Sequence, residues 1–170
     1  MILTKNKIKK SVKNGDIKIT PFDTNNLSTN SYDLRLGDTL LVYEEDVLDP
    51  TKNNRFRTIT IPKEGITLEK GSFHLGSSYE IIGSNKFVPI IHAKSGIARM
   101  GLFVHCTADL IDIGSFGNVT FQLYSTLPIK VYPGMLIGQV TFWVPSGDIN
   151  LYSGKYQGSE GPQASKSYID

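Results

Sequence analysis

The sequence predicts a single all-β domain with one short N-terminal helix. Three observations carry that expectation. Short apolar or alternating runs recur from residue 32 to residue 144, and such runs read as strands when turn residues bound them. Turn signals do bound them, at Asp49-Pro50, Lys63-Glu64-Gly65, 114–117, Pro133-Gly134 and Pro145-Ser146-Gly147. Helical spacing is confined to residues 4–14, where Thr4 is a candidate N-cap, Ile8 and Val12 lie four apart, and Asn14-Gly15 supplies a stop.

The expected strands are 32–36, 39–43, 57–61, 71–75, 78–82, 88–92, 119–124, 129–132 and 136–144. Within 119–124, Val119, Phe121 and Leu123 share one face, and Thr120, Gln122 and Tyr124 share the other. One face must enter the core. The polar face is then left to solvent, a subunit interface or a pocket. No repeat at a solenoid period and no linker divides the 170 residues. One domain over 1–170 is expected, long enough to bury a core without disulfides or a structural metal.

From Ser153 onward the composition shifts to Gly, Ser and Gln. Such a segment reads as a frayed terminus. The other reading is an arm that orders over a ligand, with Lys155 supplying charge and glycines allowing the backbone close to phosphates.

Net charge is +2, so no broad basic field points to nucleic acid. Lys5, Lys7, Lys9, Lys10, Lys13 and Lys18 read as a solvated helix face rather than a nucleic-acid arm. The single cysteine, Cys106, builds neither a disulfide framework nor a cysteine-based zinc site. The N-terminus lacks the apolar stretch of a secretory signal, and no apolar run approaches the roughly 20 residues of a membrane span. A cytoplasmic protein with no membrane partner is expected.

Chemistry-bearing residues are densest over 93–123. Lys94-Ser95-Gly96 offers an ammonium, a hydroxyl and backbone N–H groups to phosphate oxygens, and Arg99 adds a bidentate clamp. Read without relatives, such a turn is more often just a turn. The spacing of a Walker loop is absent. His105 reads as a structural histidine. His74 and His92 have no metal-ligand spacing, and the signature of zinc deaminases is missing. Nothing marks Cys106 as an activated nucleophile.

Five segments in order resemble the dCTP deaminase family, which shares its fold with trimeric dUTPases. They are SYDLRLG at 31–37, KSGIARMGL at 94–102, HCTADLIDIGSFGNVTFQL at 105–123, PGMLIGQVTF at 133–142 and KYQGSEGP at 155–162. The resemblance implies a distorted, jelly-roll-like β-barrel assembled as a homotrimer, with active sites between subunits. It implies dCTP, dUTP or dTTP as ligand, Mg2+ carried with the triphosphate, and no zinc. It also implies that residues 153–170 form an arm closing over the nucleotide.

By this similarity Lys94, Ser95, Gly96, Ile97, Ala98 and Arg99 line the triphosphate and a catalytic water. Ala108 belongs to the same pocket. Asp112 holds the deoxyribose and orients an attacking water. Thr120, Phe121 and Gln122 meet the base, and Gln139, Tyr152, Lys155 and Ser159 complete the site. Ser95, Arg99, Asp112 and Gln122 are the expected catalytic set.

Family deaminases carry glutamate where this chain has Gln122. A glutamate accepts a proton from water attacking C4 of cytosine and returns protons to the leaving amine. An amide does not, and such a group contributes about 10²–10⁴ in rate. Leu110 and Ser159 also depart from the family pattern. The expected parental activity is zinc-independent deamination of dCTP to dUTP, impaired by Gln122. The alternatives are a dUTP diphosphatase acting through Asp112 and a catalytically silent nucleotide binder. An engineered and a natural origin of Gln122 both stay open.

Overall fold

The computed structural model describes residues 1–170. Its first element is helix α1, Lys5–Lys13, which buries Ile8 and Ser11 and leaves its five lysines exposed. Thr4 stands at the N-cap, but its side chain makes no capping bond. The Thr4 carbonyl accepts the Ile8 N–H at 2.9 Å. The helix stops at Asn14, and Gly15 takes a φ of +80°, a conformation open to glycine at little cost.

Eleven strands follow: β1 (Ile17–Thr20), β2 (Tyr32–Arg35), β3 (Thr39–Tyr43), β4 (Phe56–Thr60), β5 (Ile66–Leu68), β6 (Phe73–Ser84), β7 (Val88–Ala93), β8 (Leu102–Phe103), β9 (Phe116–Ser125), β10 (Ile129–Val131) and β11 (Leu136–Trp143). The largest sheet runs β4-β3-β6-β9-β8, with β1 also paired to β6. A three-stranded sheet runs β2-β11-β7, and β10 pairs with β5. Every named strand pair is antiparallel. Tyr32, Leu34, Leu36, Phe121, Leu123, Val140 and Phe142, from facing sheets, are fully buried in one core.

Two expectations change. Residues 73–75 and 78–82 lie in one strand, β6, rather than two. Gly76 sits in β6 because a Cβ there would come within 3.1 Å of the Leu123 and Leu36 side chains. Close packing, rather than a turn, favours that glycine. The pairing with β9 shifts register between Ser77 and Ile81, a bulge that bends the strand. The Lys94-Ser95-Gly96 turn, in addition, opens a second helix, α2 (Ser95–Arg99). Strands β1, β5 and β8 have two to four residues, too few for alternation to register.

The segment 31–37 is explained by its neighbours. Its odd–even pattern buries Tyr32, Leu34 and Leu36. Asp33 and Arg35 point the other way, and both are ion-paired. Asp33 pairs with Lys94. Arg35 donates its Nε to Glu80 at 2.7 Å and its main-chain N–H to the same carboxylate at 3.0 Å. Glu80 is fully buried. The Arg35 guanidinium also lies 4.4 Å from the Tyr79 ring centroid, and the bond to Glu80 pushes its pKa up against the opposing effect of burial.

His74 and His92 titrate below the ordinary imidazole value. Burial is the main cause for each, with Arg57 adding to it at His74 and His105 at His92, where Asp109 opposes. A depressed folded pKa means that the unfolded chain binds protons which the folded chain refuses. Their stabilisation is therefore complete above about pH 6.5 and declines as pH falls below it. Thermal unfolding should show a lower Tm at pH 5.5 than at pH 7.5. The difference should shrink in His74→Gln, and an unchanged difference would remove His74 from the account.

Candidate active site

A cleft of about 610 Å³ opens beside β9. Its floor is the polar face expected from alternation. Asn118, Thr120 and Gln122 line the cleft, while Phe121 and Leu123 are buried in the core behind. Phe121 was expected at the base, but its ring is fully buried, so its main chain alone can face a ligand.

One wall comes from 106–112. Cys106, Thr107, Ala108, Leu110 and Asp112 line it, and Asp112 is exposed. This wall is tied to the floor through Gln122. The Gln122 Oε1 accepts the main-chain N–H of Cys106 at 3.0 Å and that of Thr107 at 3.3 Å. The Cys106 thiol lies 3.5 Å from the Gln122 carbonyl, and desolvation pushes its pKa up.

The roof is the chain end, which is not frayed. Tyr152 N–H donates to the Ile113 carbonyl, Gly158 N–H to Phe116, and Asn118 N–H to Ser159, each at 2.8 Å. Gly161 N–H reaches Asn118 Oδ1 at 3.0 Å, and Gln163 N–H reaches Thr120 Oγ1 at 3.0 Å. Gly117 permits this approach, since a Cβ there would lie 2.7 Å from the Ser159 nitrogen. Further along, Ser165 N–H donates to the Tyr43 hydroxyl and Lys166 N–H to the Tyr156 hydroxyl, each at 2.8 Å. Composition could not reveal this order, because main-chain donors of the segment carry much of it.

The bulge in β6 anchors the same region. Asn118 Nδ2 donates to the Ser78 carbonyl at 2.9 Å, and Ser78 Oγ accepts the Val119 N–H at 2.8 Å. Asn118 therefore joins bulge, floor and roof. Sequence reasoning did not single it out, although it shares the face of Thr120 and Gln122. Tyr43, Tyr156 and Gln163, which also line the cleft, carried no such signal.

The expected site residues fall into two groups. Ala108, Asp112, Thr120, Gln122, Tyr152 and Ser159 converge on the cleft. Lys94, Ser95, Gly96, Ile97, Ala98, Arg99 and Gln139 do not line it. Gln139 on β11 is in register with Asp33 on one side and His92 on the other, which puts it beside the Asp33–Lys94 pair. Ser95, Gly96, Ala98 and Arg99 are exposed there, while Ile97 is buried. Lys155 is also outside the cleft lining and pairs with Asp170. No lysine or arginine lines the cleft, and no three His, Cys, Asp or Glu side chains converge to hold a metal ion.

The fold is that of an all-β protein with a polar strand floor under its own C-terminal segment, and comparison with known proteins narrows its class. The dCTP deaminase-like family model matches residues 2–144, and this chain belongs to that family. "dCTP deaminase, dUMP-forming" of Hathewaya histolytica is 43% identical over 171 residues, covering 100% of this chain and 99% of its own length. Proteins of the same name from Leptospira biflexa serovar Patoc (strain Patoc 1 / Ames) and Clostridium beijerinckii are 44% and 42% identical, each covering 100% of this chain and 98% of its own length.

The crystal structure of 2'-deoxycytidine 5'-triphosphate deaminase from Agrobacterium tumefaciens shares the fold, with a TM-score of 0.67 at 20% identity. The match covers 85% of this chain and 48% of that one. These names correct the expected product. The relatives are called dUMP-forming, whereas dUTP was expected. A dUMP product requires that the phosphoanhydride be cleaved as well as the base deaminated. No helix is long and apolar enough to cross a membrane.

Proposed function

We propose that this protein is a dUMP-forming dCTP deaminase, taking dCTP and two waters to dUMP, diphosphate and ammonia. The observation that carries the reading is the cleft in which Asp112, Thr120 and Gln122 converge beneath the C-terminal arm. The names of relatives that span the whole chain support it.

In one half of the reaction water adds at C4 of cytosine and the amine leaves as ammonia. In the other, a second water attacks the α-phosphorus and diphosphate leaves. Asp112 holds the deoxyribose and orients the second water. Gln122 stands beside C4 but does not relay protons, so ammonia release is the slow half. Mg2+ bound with the triphosphate would supply charge neutralisation for the departing diphosphate.

A triphosphate needs cations, and the cleft lining has none. The exposed 95–99 segment of a second copy, with its Lys94, supplies them in this reading. The protein is then a homotrimer whose sites lie between subunits. Arg99→Ala and Asp112→Asn, each nearly inactive alone, should recover activity when refolded together, because mixed trimers contain some intact sites. No recovery, or a stable monomer in sedimentation, would count against shared sites. For the reaction itself, dUMP, diphosphate and ammonia should be followed separately from dCTP with Mg2+. All three are expected in equal amounts, and ammonia without diphosphate would overturn the dUMP-forming reading.

A further inference from the structure

The Gln122 amide has one orientation. Two main-chain N–H groups, of Cys106 and Thr107, point at one atom of its terminal group. That atom must be the oxygen, since a flipped amide would set donor against donor at both. The Nε2 is left with no partner in the chain, yet it is not among the buried polar atoms that lack one. It is therefore accessible, on a residue that lines the cleft floor. The neighbouring Thr120 Oγ1 already accepts the Gln163 N–H.

From this geometry we infer that Gln122 makes the base pocket selective for a 4-oxopyrimidine over cytosine. The amide offers an N–H donor. The 4-oxo group of uracil accepts it, whereas the 4-amino group of cytosine presents a donor of its own. A carboxylate at 122 would keep both main-chain bonds and present an acceptor, which reverses the preference. The inference rests on the nucleotide reading proposed above. It adds that the deaminated form of the base, not the cytosine form, is the tighter ligand.

The test uses the α,β-imido analogues of dUTP and dCTP with Mg2+ on the full-length protein, by competition against a fluorescent nucleotide. Stopped-flow mixing reads binding before turnover. The dUTP analogue should bind about tenfold more tightly, the effect of one hydrogen bond gained against one donor left facing a donor. Gln122→Glu, which retains the contacts to Cys106 and Thr107 and so the fold, should abolish or invert that ratio. Equal affinities, or a ratio that Gln122→Glu leaves unchanged, would overturn the inference and leave the dUMP-forming reading standing. Binding of neither analogue would overturn both. The separate product assay on dCTP decides the parent reading by itself.

Discussion

Gln122→Glu is expected to raise the rate of ammonia release from dCTP by about 10²–10⁴, the usual contribution of a positioned acid–base group. The two main-chain N–H groups that hold the amide oxygen would hold a carboxylate oxygen equally well. The side chain should therefore keep its position, and the change is confined to proton transfer. One oxygen would be anchored, while the other faces the cleft, where it can take a proton from water and pass it to the leaving amine. Ammonia measured by a coupled assay at saturating dCTP checks this. A gain below about threefold would mean that position 122 is not where the proton is handled. Diphosphate release from dUTP should change little, since the reaction at the α-phosphorus is assigned to Asp112.

The second large effect concerns stability. Arg35→Met should destabilise the fold by about 3–5 kcal/mol, the range for removing one partner of a buried ion pair. Glu80 is fully buried, and Arg35 satisfies it through both side chain and main chain. Methionine keeps the main-chain bond and leaves the charge without its counter-ion. Urea unfolding should show the loss as a lower midpoint with an unchanged slope. Adding Glu80→Gln should restore part of it, because the neutral amide removes the uncompensated charge. A loss under 1 kcal/mol would mean that solvent relieves Glu80 in place of Arg35. Because Ser78, Glu80 and Asn118 meet at the β6 bulge, a weakened pair should also loosen the arm bound to Asn118.

The legible parts of the site were those that follow a period. Alternation along 119–124 separated Thr120 and Gln122 from Phe121 and Leu123, and burial divides them the same way. The five segments in order identified the family. The arm was legible only through the family resemblance, not through composition. Its hydrogen bonds use main-chain N–H groups of Gly158, Gly161 and Gln163, and composition does not report on those. The run through Gly76 was read as two strands, 71–75 and 78–82, for a related reason. A glycine signals a turn or a close contact equally well until its neighbours are known.

The opening expectation of an all-β domain with a short leading helix was within reach of the sequence alone, because secondary-structure periods are local. The sequence also marked Lys94–Arg99, Asp112 and Gln122 as candidate positions for the chemistry. Tertiary structure decided how those positions divide. It put Asp112 and Gln122 in a cleft without cations and left residues 94–99 outside it, paired through Lys94 to Asp33. It also decided which way the Gln122 amide faces. Both outcomes depend on groups distant in the chain, a strand partner in one case and two main-chain N–H groups in the other. Linear spacing carries no record of either.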